Sequence, residues 1–256
     1  MNCNLEDLNG KNIKINLDCI GSRFINMDCM KALTQMPDKC MDLCIVDPEY
    51  GRKEHGGKDR STLVKQKNGS KIFVPGGNYP NRNWDNEPAG EEYFQELFRV
   101  SKHQIIWGEN YMPMKFGKGR IVWDKCNQGS DQSDCEIAYN SLTDRVDLFR
   151  YMWRGMMQGK SITEGHIQQG NKKLNEKRIH PTQKPIALYL WQLQKYAQKG
   201  WKILDTHVGS ASSLIACYML GFDYLGFEKD KYIYDLANER LESYKKQIRI
   251  DDLMEV

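Results

Sequence analysis

Three strings in this chain place acids, a glycine and an aromatic residue at the ends of apolar runs, where side chains can meet a ligand. The first is Asp47-Pro48-Glu49-Tyr50, which closes the run Met41–Val46. A carboxylate followed by a proline carbonyl offers two acceptors side by side, and the tyrosine ring adds a flat surface. The second is Asp205-Thr206-His207-Val208-Gly209-Ser210, which follows Trp201-Lys-Ile-Leu and precedes the small residues Ala211, Ser212 and Ser213. The third is Glu228, which closes Asp223-Tyr-Leu-Gly-Phe about twenty residues later. A tight turn at Gly209 and a helix opened by small residues let a ligand approach the backbone. An acid at a second strand tip can grip two ribose hydroxyls. A dinucleotide fingerprint has three glycines and this turn has one, so the pattern suits an adenosyl ligand without pyrophosphate. Taken alone, each string also reads as an ordinary strand-end turn.

Those residues must ride on regular elements. Short apolar runs alternate with amphipathic stretches, the pattern of an α/β domain. Strands are expected at Arg23–Met27, Met41–Asp47, Gln104–Trp107, Ile121–Asp124, Glu136–Tyr139, Trp201–Asp205 and Tyr224–Glu228. Helices are expected at Cys29–Gln35, stopped by Pro37, and at Glu91–Ser101, where Tyr93, Phe94, Leu97 and Phe98 form an apolar face. A third runs from Gln183 to about Gln198 behind Thr182 as N-cap, with Ile186, Leu190 and Leu193 inward. A fourth, Ala211–Leu220, ends at Gly221 as a C-terminal cap, and the last, Lys231–Tyr244, follows Asp230. Gly51–Ala89 and Thr143–Ile179 resist assignment, and irregular connections of that length are usually functional or disordered.

The 256 residues hold 37 Lys/Arg against 34 Asp/Glu, a net charge of +3, and are 40% hydrophobic and 28% charged. That excludes a collagenous, low-complexity or wholly disordered chain. The charge is uneven. Residues 51–82 hold eight Lys/Arg against two acids, and residues 145–184 hold nine against three. Two basic segments on an acidic body point to a localised polyanion contact, although solvated Lys-rich loops would look the same. No apolar run approaches the roughly twenty residues of a membrane span and no apolar stretch follows Met1, so a cytoplasmic location away from membranes is expected. The eight cysteines form no Cys-x-x-Cys pair and have no partnering histidine cluster, so neither a metal site nor a disulfide scaffold is expected. Trp107 and Trp123 read as core, and His55 as solvent-exposed and inert.

Together the strings resemble the beta group of amino-group DNA methyltransferases. Asp47-Pro-Glu-Tyr resembles that family's Asp-Pro-Pro-Tyr signature, and Asp205-Thr-His-Val-Gly-Ser resembles its Asp-Pro-Phe-x-Gly-Ser motif. His180-Pro-Thr-Gln-Lys-Pro is similar to the segment that opens the helix beside the methionine end of S-adenosylmethionine. Asp28-Cys-Met matches a Gly-Asp-Cys start with Met27 in place of Gly, and Ile106-Trp-Gly-Glu-Asn and Ile121-Val-Trp-Asp-Lys also have family spellings. The resemblance spans roughly Ile20 to Leu241, and the Asp-Thr-His-x-Gly-Ser spelling resembles that of phage and prophage enzymes. Departures are Glu49 for the second Pro, Thr206 and His207 for Pro-Phe, and Ala211 for Gly.

The resemblance implies a Rossmann-like α/β fold, a seven-stranded mixed sheet with helices on both faces, and the permuted order with the catalytic motif first. It implies one methyltransferase domain over residues 1–256, S-adenosylmethionine as cofactor and DNA as substrate. A second copy of the chain and a separately encoded restriction endonuclease are its further implied partners. Catalytic roles fall on Asp47, Pro48, Glu49 and Tyr50. Cofactor roles fall on Asp28, Cys29, Asp47, His180, Thr182, Lys184, Asp205, His207, Gly209, Ser210 and Glu228. The loop 51–89 should contact phosphates through Arg52, Lys53, Lys58 and Arg60, and a short target-recognition region, 141–178, should use Lys172, Lys173 and Arg178.

The chemistry fits the residue types. An exocyclic amine is a poor nucleophile because its lone pair is delocalised into the ring. Accepting its N–H bonds at Asp47 and at the Pro48 carbonyl draws the nitrogen toward tetrahedral geometry, and the gain is positioning and electrostatics. The base must leave the helix, and Tyr50 is the expected stacking platform. Adenine N6 is the expected target, with N4 of cytosine the alternative; C5-cytosine chemistry is disfavoured because no Pro-Cys dipeptide occurs. A silent DNA-binding relative, with Glu49 as the lesion, is the rival reading. If Glu49 lies beside the flipped base, burial should raise its pKa so that its protonated form bonds the base.

Overall fold

The computed structural model describes residues 2–6, 10, 12–17, 20–52, 62–65, 68–74, 87–128 and 133–254. Its centre is a mixed sheet of eight strands: β1 (Arg23–Asn26), β2 (Met41–Val46), β3 (Ser101–Trp107), β4 (Arg120–Asp124), β5 (Cys135–Asn140), β6 (Val146–Arg150), β7 (Lys202–Asp205) and β8 (Asp223–Glu228). They lie in the order β6-β4-β5-β3-β2-β7-β8-β1. β5 pairs antiparallel with both neighbours, and every other pairing in this sheet is parallel. The helices are α1 (Cys29–Leu33), α2 (Glu91–Val100), α3 (Ile186–Tyr196), α4 (Ser212–Leu220) and α5 (Lys231–Met254).

Side chains alternate across the central strands, so each face of the sheet builds its own core. Leu43 and Ile45 of β2 join Ile105 and Trp107 of β3 under α3, α4 and α5, through residues such as Leu188, Leu214 and Leu241. Cys44 and Val46 point the other way and meet Phe94 and Leu97 of α2 and Leu33 of α1. An antiparallel pair at the N-terminal end, Asn2–Glu6 with Asn12–Asn16, adds Leu5 and Ile15 to that second core. The expected α/β architecture with helices on both faces is the observed one.

Four expectations are corrected. The sheet has eight strands rather than seven. β6 lies within a stretch expected to be irregular because its apolar Val146 and Leu148 face solvent, while only Phe149 is buried. It is parallel to β4 at the sheet edge, where Asp147 accepts from Lys195 and Tyr196 of α3's C-terminal end. The stretch 51–89 holds an antiparallel pair, Thr62–Lys65 with Lys71–Val74. α3 begins at Ile186, not Gln183, because the residue before a proline is barred from helical backbone and Pro185 itself has no N–H. Its first free amide, Ile186 N–H, is taken by Glu176 Oε1 at 2.8 Å in place of the expected Thr182 cap. α5 continues well past Tyr244, to Met254. Among the described residues, no helix is long and apolar enough to cross a membrane.

Candidate active site

β2 connects onward through α2 to β3 on one side, while β7 connects through α4 to β8 on the other. Crevices in such sheets open at the carboxyl ends of the strands where the winding reverses, here between β2 and β7. A cavity of about 880 Å³ lies there, within the range of small-molecule sites. Of the eleven residues expected to hold a cofactor, ten stand in its wall. Asp28 and Cys29 enter from the end of β1, and Asp47 from β2. His180, Thr182 and Lys184 come from the segment before α3. His207, Gly209 and Ser210 follow β7, and Glu228 ends β8.

Asp205 is the eleventh, and it stands behind the wall. Its oxygens accept from the Ser213 hydroxyl and from the His207 amide at 3.0 Å, so it shapes the turn and does not face the cavity. Burial pushes its carboxyl up to about 6, against the pull of Ser213. Gly209 has φ +54°, which a β-carbon would disfavour, and Ala211 adopts φ +62° at the start of α4 where the family has glycine.

At the second strand tip a carboxylate is cradled by two backbone amides. Glu228 accepts the Gly209 amide at 3.0 Å and the Asp230 amide at 2.8 Å, which fixes both oxygens at the cavity wall. Burial pushes its carboxyl up to about 7, outweighing those two amides. Asp28 caps α1 by accepting from the Met30 amide at 3.0 Å, and its other oxygen pairs with Lys229 at 2.8 Å. Burial favours its neutral form, but Lys229 and the Met30 amide prevail and hold it below the usual carboxylate value. An acid poised for ribose, a glycine turn against it and a second acid at β1 fit an adenosyl group. The ten residues in one wall fit S-adenosylmethionine as cofactor.

Asp47 also stands in the cavity wall and is held on both oxygens. Tyr50 donates its hydroxyl to Oδ1, and Lys184 Nζ lies 2.5 Å from Oδ2 and 3.0 Å from the Tyr50 hydroxyl. The Lys184 side chain is only 4% exposed, so its charge must be matched locally. A second carboxylate does this: Glu136 Oε2 lies 3.0 Å from Lys184, and its Oε1 pairs with Lys125. Burial would raise the Glu136 carboxyl, but Lys184 and Lys125 hold it at about 2. Burial would likewise lower the Lys184 ammonium, and Asp47 with Glu136 raises it. Lys184, expected to serve the cofactor, lines the cavity and also completes this buried row of charges.

Tyr50 is packed rather than open to the cavity. Its ring stacks on Tyr111, centroids 5.2 Å apart and planes 20° apart, and runs over Gly108, where a β-carbon would collide with the ring. The expected rise in the Glu49 pKa is not found. Glu49 Oε2 lies 3.2 Å from His207 Nε2. Burial does push its carboxyl up, as expected, but the His207 cation overrides that and holds it at about 2. That direction favours the carboxylate over the protonated form.

Of the expected DNA contacts, Lys53, Lys58 and Arg60 lie outside the described residues, as does His55. Arg52 is exposed, with its guanidinium 3.2 Å from the Tyr111 hydroxyl. Lys172 and Lys173 are exposed on the 3-10 turn Lys172–Leu174. Arg178 turns inward, its guanidinium 4.2 Å above the Trp153 ring and its Nε and Nη2 buried. Among the described residues, no group of three or more His, Cys, Asp or Glu could hold a metal ion. Sequence reasoning missed Glu136, Lys229 and Tyr93. For Glu136 the one signal is an acid at the start of the fifth expected strand. Tyr93 reads as core from its helical spacing, yet its hydroxyl meets Thr206 Oγ1 at 2.6 Å.

Residues 122–239 match the N6/N4 DNA methylase family. The matches support a DNA methyltransferase of the N6/N4 family. The chain is 24% identical to the Type II methyltransferase M.HpaI of Haemophilus parainfluenzae over 86% of its own length and 74% of that protein's. It is 21% identical to the Type II methyltransferase M.HinfI of Haemophilus influenzae, over 91% and 72%. Among solved structures, the M1.HpyAVI–SAM complex aligns with a TM-score of 0.49 at 15% identity, covering 85% of this chain and 98% of that one. The methylase match begins within β4 and ends in α5, so it includes Glu136, Lys184, Gly209 and Glu228 but not Asp47.

Proposed function

We propose that the chain transfers the methyl group of S-adenosylmethionine to N6 of adenine in DNA. The observation that carries this reading is one cavity with the Glu228–Gly209 cradle and the Asp47 carboxylate in its wall. When bound, S-adenosylmethionine supplies an electrophilic methyl on a sulfonium. Glu228 accepts the ribose hydroxyls. Asp47, held by Tyr50 on one oxygen and by Lys184 on the other, keeps further lone pairs on both. One of these and the Pro48 carbonyl accept the two N–H bonds of a flipped adenine amine. The proton released after transfer leaves toward solvent or Asp47.

The cytosine N4 amine would make the same two bonds, and the matched family spans both activities. Asp47 rather than Ser at the start of the tetrapeptide favours adenine. Hydrolysis of DNA incubated with the protein and S-adenosylmethionine, followed by nucleoside mass spectrometry, should give N6-methyladenine. N4-methylcytosine alone would transfer the reading to the cytosine enzymes. A second copy of the chain and a separately encoded restriction endonuclease are its further proposed partners.

The two basic stretches take different parts in this proposal. The 51–89 loop contacts phosphates, and 141–178 reads sequence, through Lys172 and Lys173 before the inward-facing Arg178. Removing the Arg52 and Lys53 charges should weaken binding to all DNA alike and lower the salt slope by about one unit for each phosphate no longer neutralised. Replacing Lys172 and Lys173 should change which sites are modified. Methylation profiles of both variant sets check this; a site shift in the loop variants alone would reverse the assignment.

A further inference from the structure

Glu49 and His207 come from different turns, after β2 and after β7, and both stand in the cavity wall. Their side chains are 33% and 19% exposed, and their charged atoms lie 3.2 Å apart. Each end of the contact is fixed. The Glu49 carbonyl accepts the Ala89 amide at 3.2 Å, and the neighbouring Tyr50 hydroxyl donates to Asp47. The other imidazole nitrogen, His207 Nδ1, lies 2.9 Å from Thr206 Oγ1 and 3.5 Å from the Tyr93 hydroxyl, and the Tyr93 ring meets the imidazole edge-on. Both residues stand where the related family has uncharged ones, so the two departures form one contact.

We infer that the Glu49–His207 ion pair is a positioning strut: it ties the Asp47–Tyr50 turn to the turn after β7 and so sets where the Asp47 carboxylate stands relative to the methyl donor. The inference rests on reading the cavity as the methyl-donor site. An uncharged side chain at either position removes this link between the two turns and leaves the other charge half-buried without its nearest partner.

The surroundings favour the paired state. Asp28, Asp205 and Glu228 are the further carboxyl groups around the imidazole, from the ends of β1, β7 and β8, and Asp28 is the one held below its ordinary value. Lys229 is the further cation acting on Glu49. Cys29 Sγ, 3.9 Å from Nε2, and Tyr93 are the other titratable groups against the ring. Burial works against the imidazolium, but Glu49 and Cys29 raise it well above its ordinary value. The pair therefore persists through neutral pH and is lost as pH rises through the raised His207 value.

The test is a double-variant cycle on Glu49→Gln, His207→Gln and their combination, with kcat and the cofactor KM separated. Each single change should lower kcat about tenfold and leave KM within about threefold, and the combination should again cost about tenfold in total rather than about a hundredfold. NMR titration of the histidines, five in the chain, should find one imidazole well above the ordinary value in the wild type and returned toward it in Glu49→Gln. The alkaline limb of kcat that reports loss of the pair should be absent in that variant. Multiplicative effects in the combination, or an ordinary His207 titration in the wild type, would overturn the strut. The wild-type titration needs no variant to fold. If the protein binds S-adenosylmethionine yet transfers nothing, the proposed function fails, and the titration still decides the pair.

Discussion

Replacing Asp47 with alanine should lower methyl transfer by about 10²–10³-fold while cofactor affinity changes only a few-fold. That is the usual cost of deleting one acceptor aimed at a transition state. Tyr50 and Lys184 hold the carboxylate in place, and the ribose contact is proposed for Glu228, on another strand. The loss of Asp47 therefore falls on the target amine. Single-turnover transfer, with calorimetry of S-adenosylmethionine on the same variant, separates the two effects. Retention of more than about a tenth of the wild-type rate would remove Asp47 from the chemistry.

The other large effect is expected at Glu228. Its truncation to alanine should weaken S-adenosylmethionine binding by about 1.5–3 kcal/mol, the range for hydrogen bonds to a charged group, which is roughly ten- to more than a hundredfold in Kd. Unchanged affinity would take Glu228 out of the ribose site. The pH dependence carries a second signature. Burial pushes the Glu228 carboxyl up to about 7 from an ordinary 4.5, so the folded, cofactor-free protein holds a proton that the unfolded chain releases. Its contribution to stability is full below pH 4.5 and is lost as pH rises through 7. Asp205, pushed up to about 6, acts in the same direction. Ribose hydroxyls donate best to the ionised carboxylate, so cofactor affinity should rise between pH 6 and 8. Glu228→Ala should flatten both the melting-temperature trend and the affinity trend.

Residues whose role follows from their place along the chain are legible without a structure. Asp47, Gly209 and Glu228 are legible because each closes or follows an apolar run within a string that resembles a family motif. The parallel strand ends then carry them to one crevice. Residues whose role depends on a distant partner are not legible. Glu136 matters because Lys184, far along the chain, needs a second counter-charge in a buried place. Glu49 reads as a neighbour of the base because its partner, His207, belongs to another turn. β6 is hidden because its apolar residues face outward, against the usual alternation. α3 starts late because Pro185 outweighs the capping potential of Thr182, and Glu176 supplies the cap from another segment.

One cavity should bring a methyl donor to an amine-gripping carboxylate, and transfer of labelled methyl from S-adenosylmethionine to mixed-sequence DNA tests this most directly. The wild-type protein should label adenine-containing duplexes, and Asp47→Ala should bind the cofactor and leave them unlabelled. Cofactor binding by the wild-type protein with no label in any DNA would contradict it.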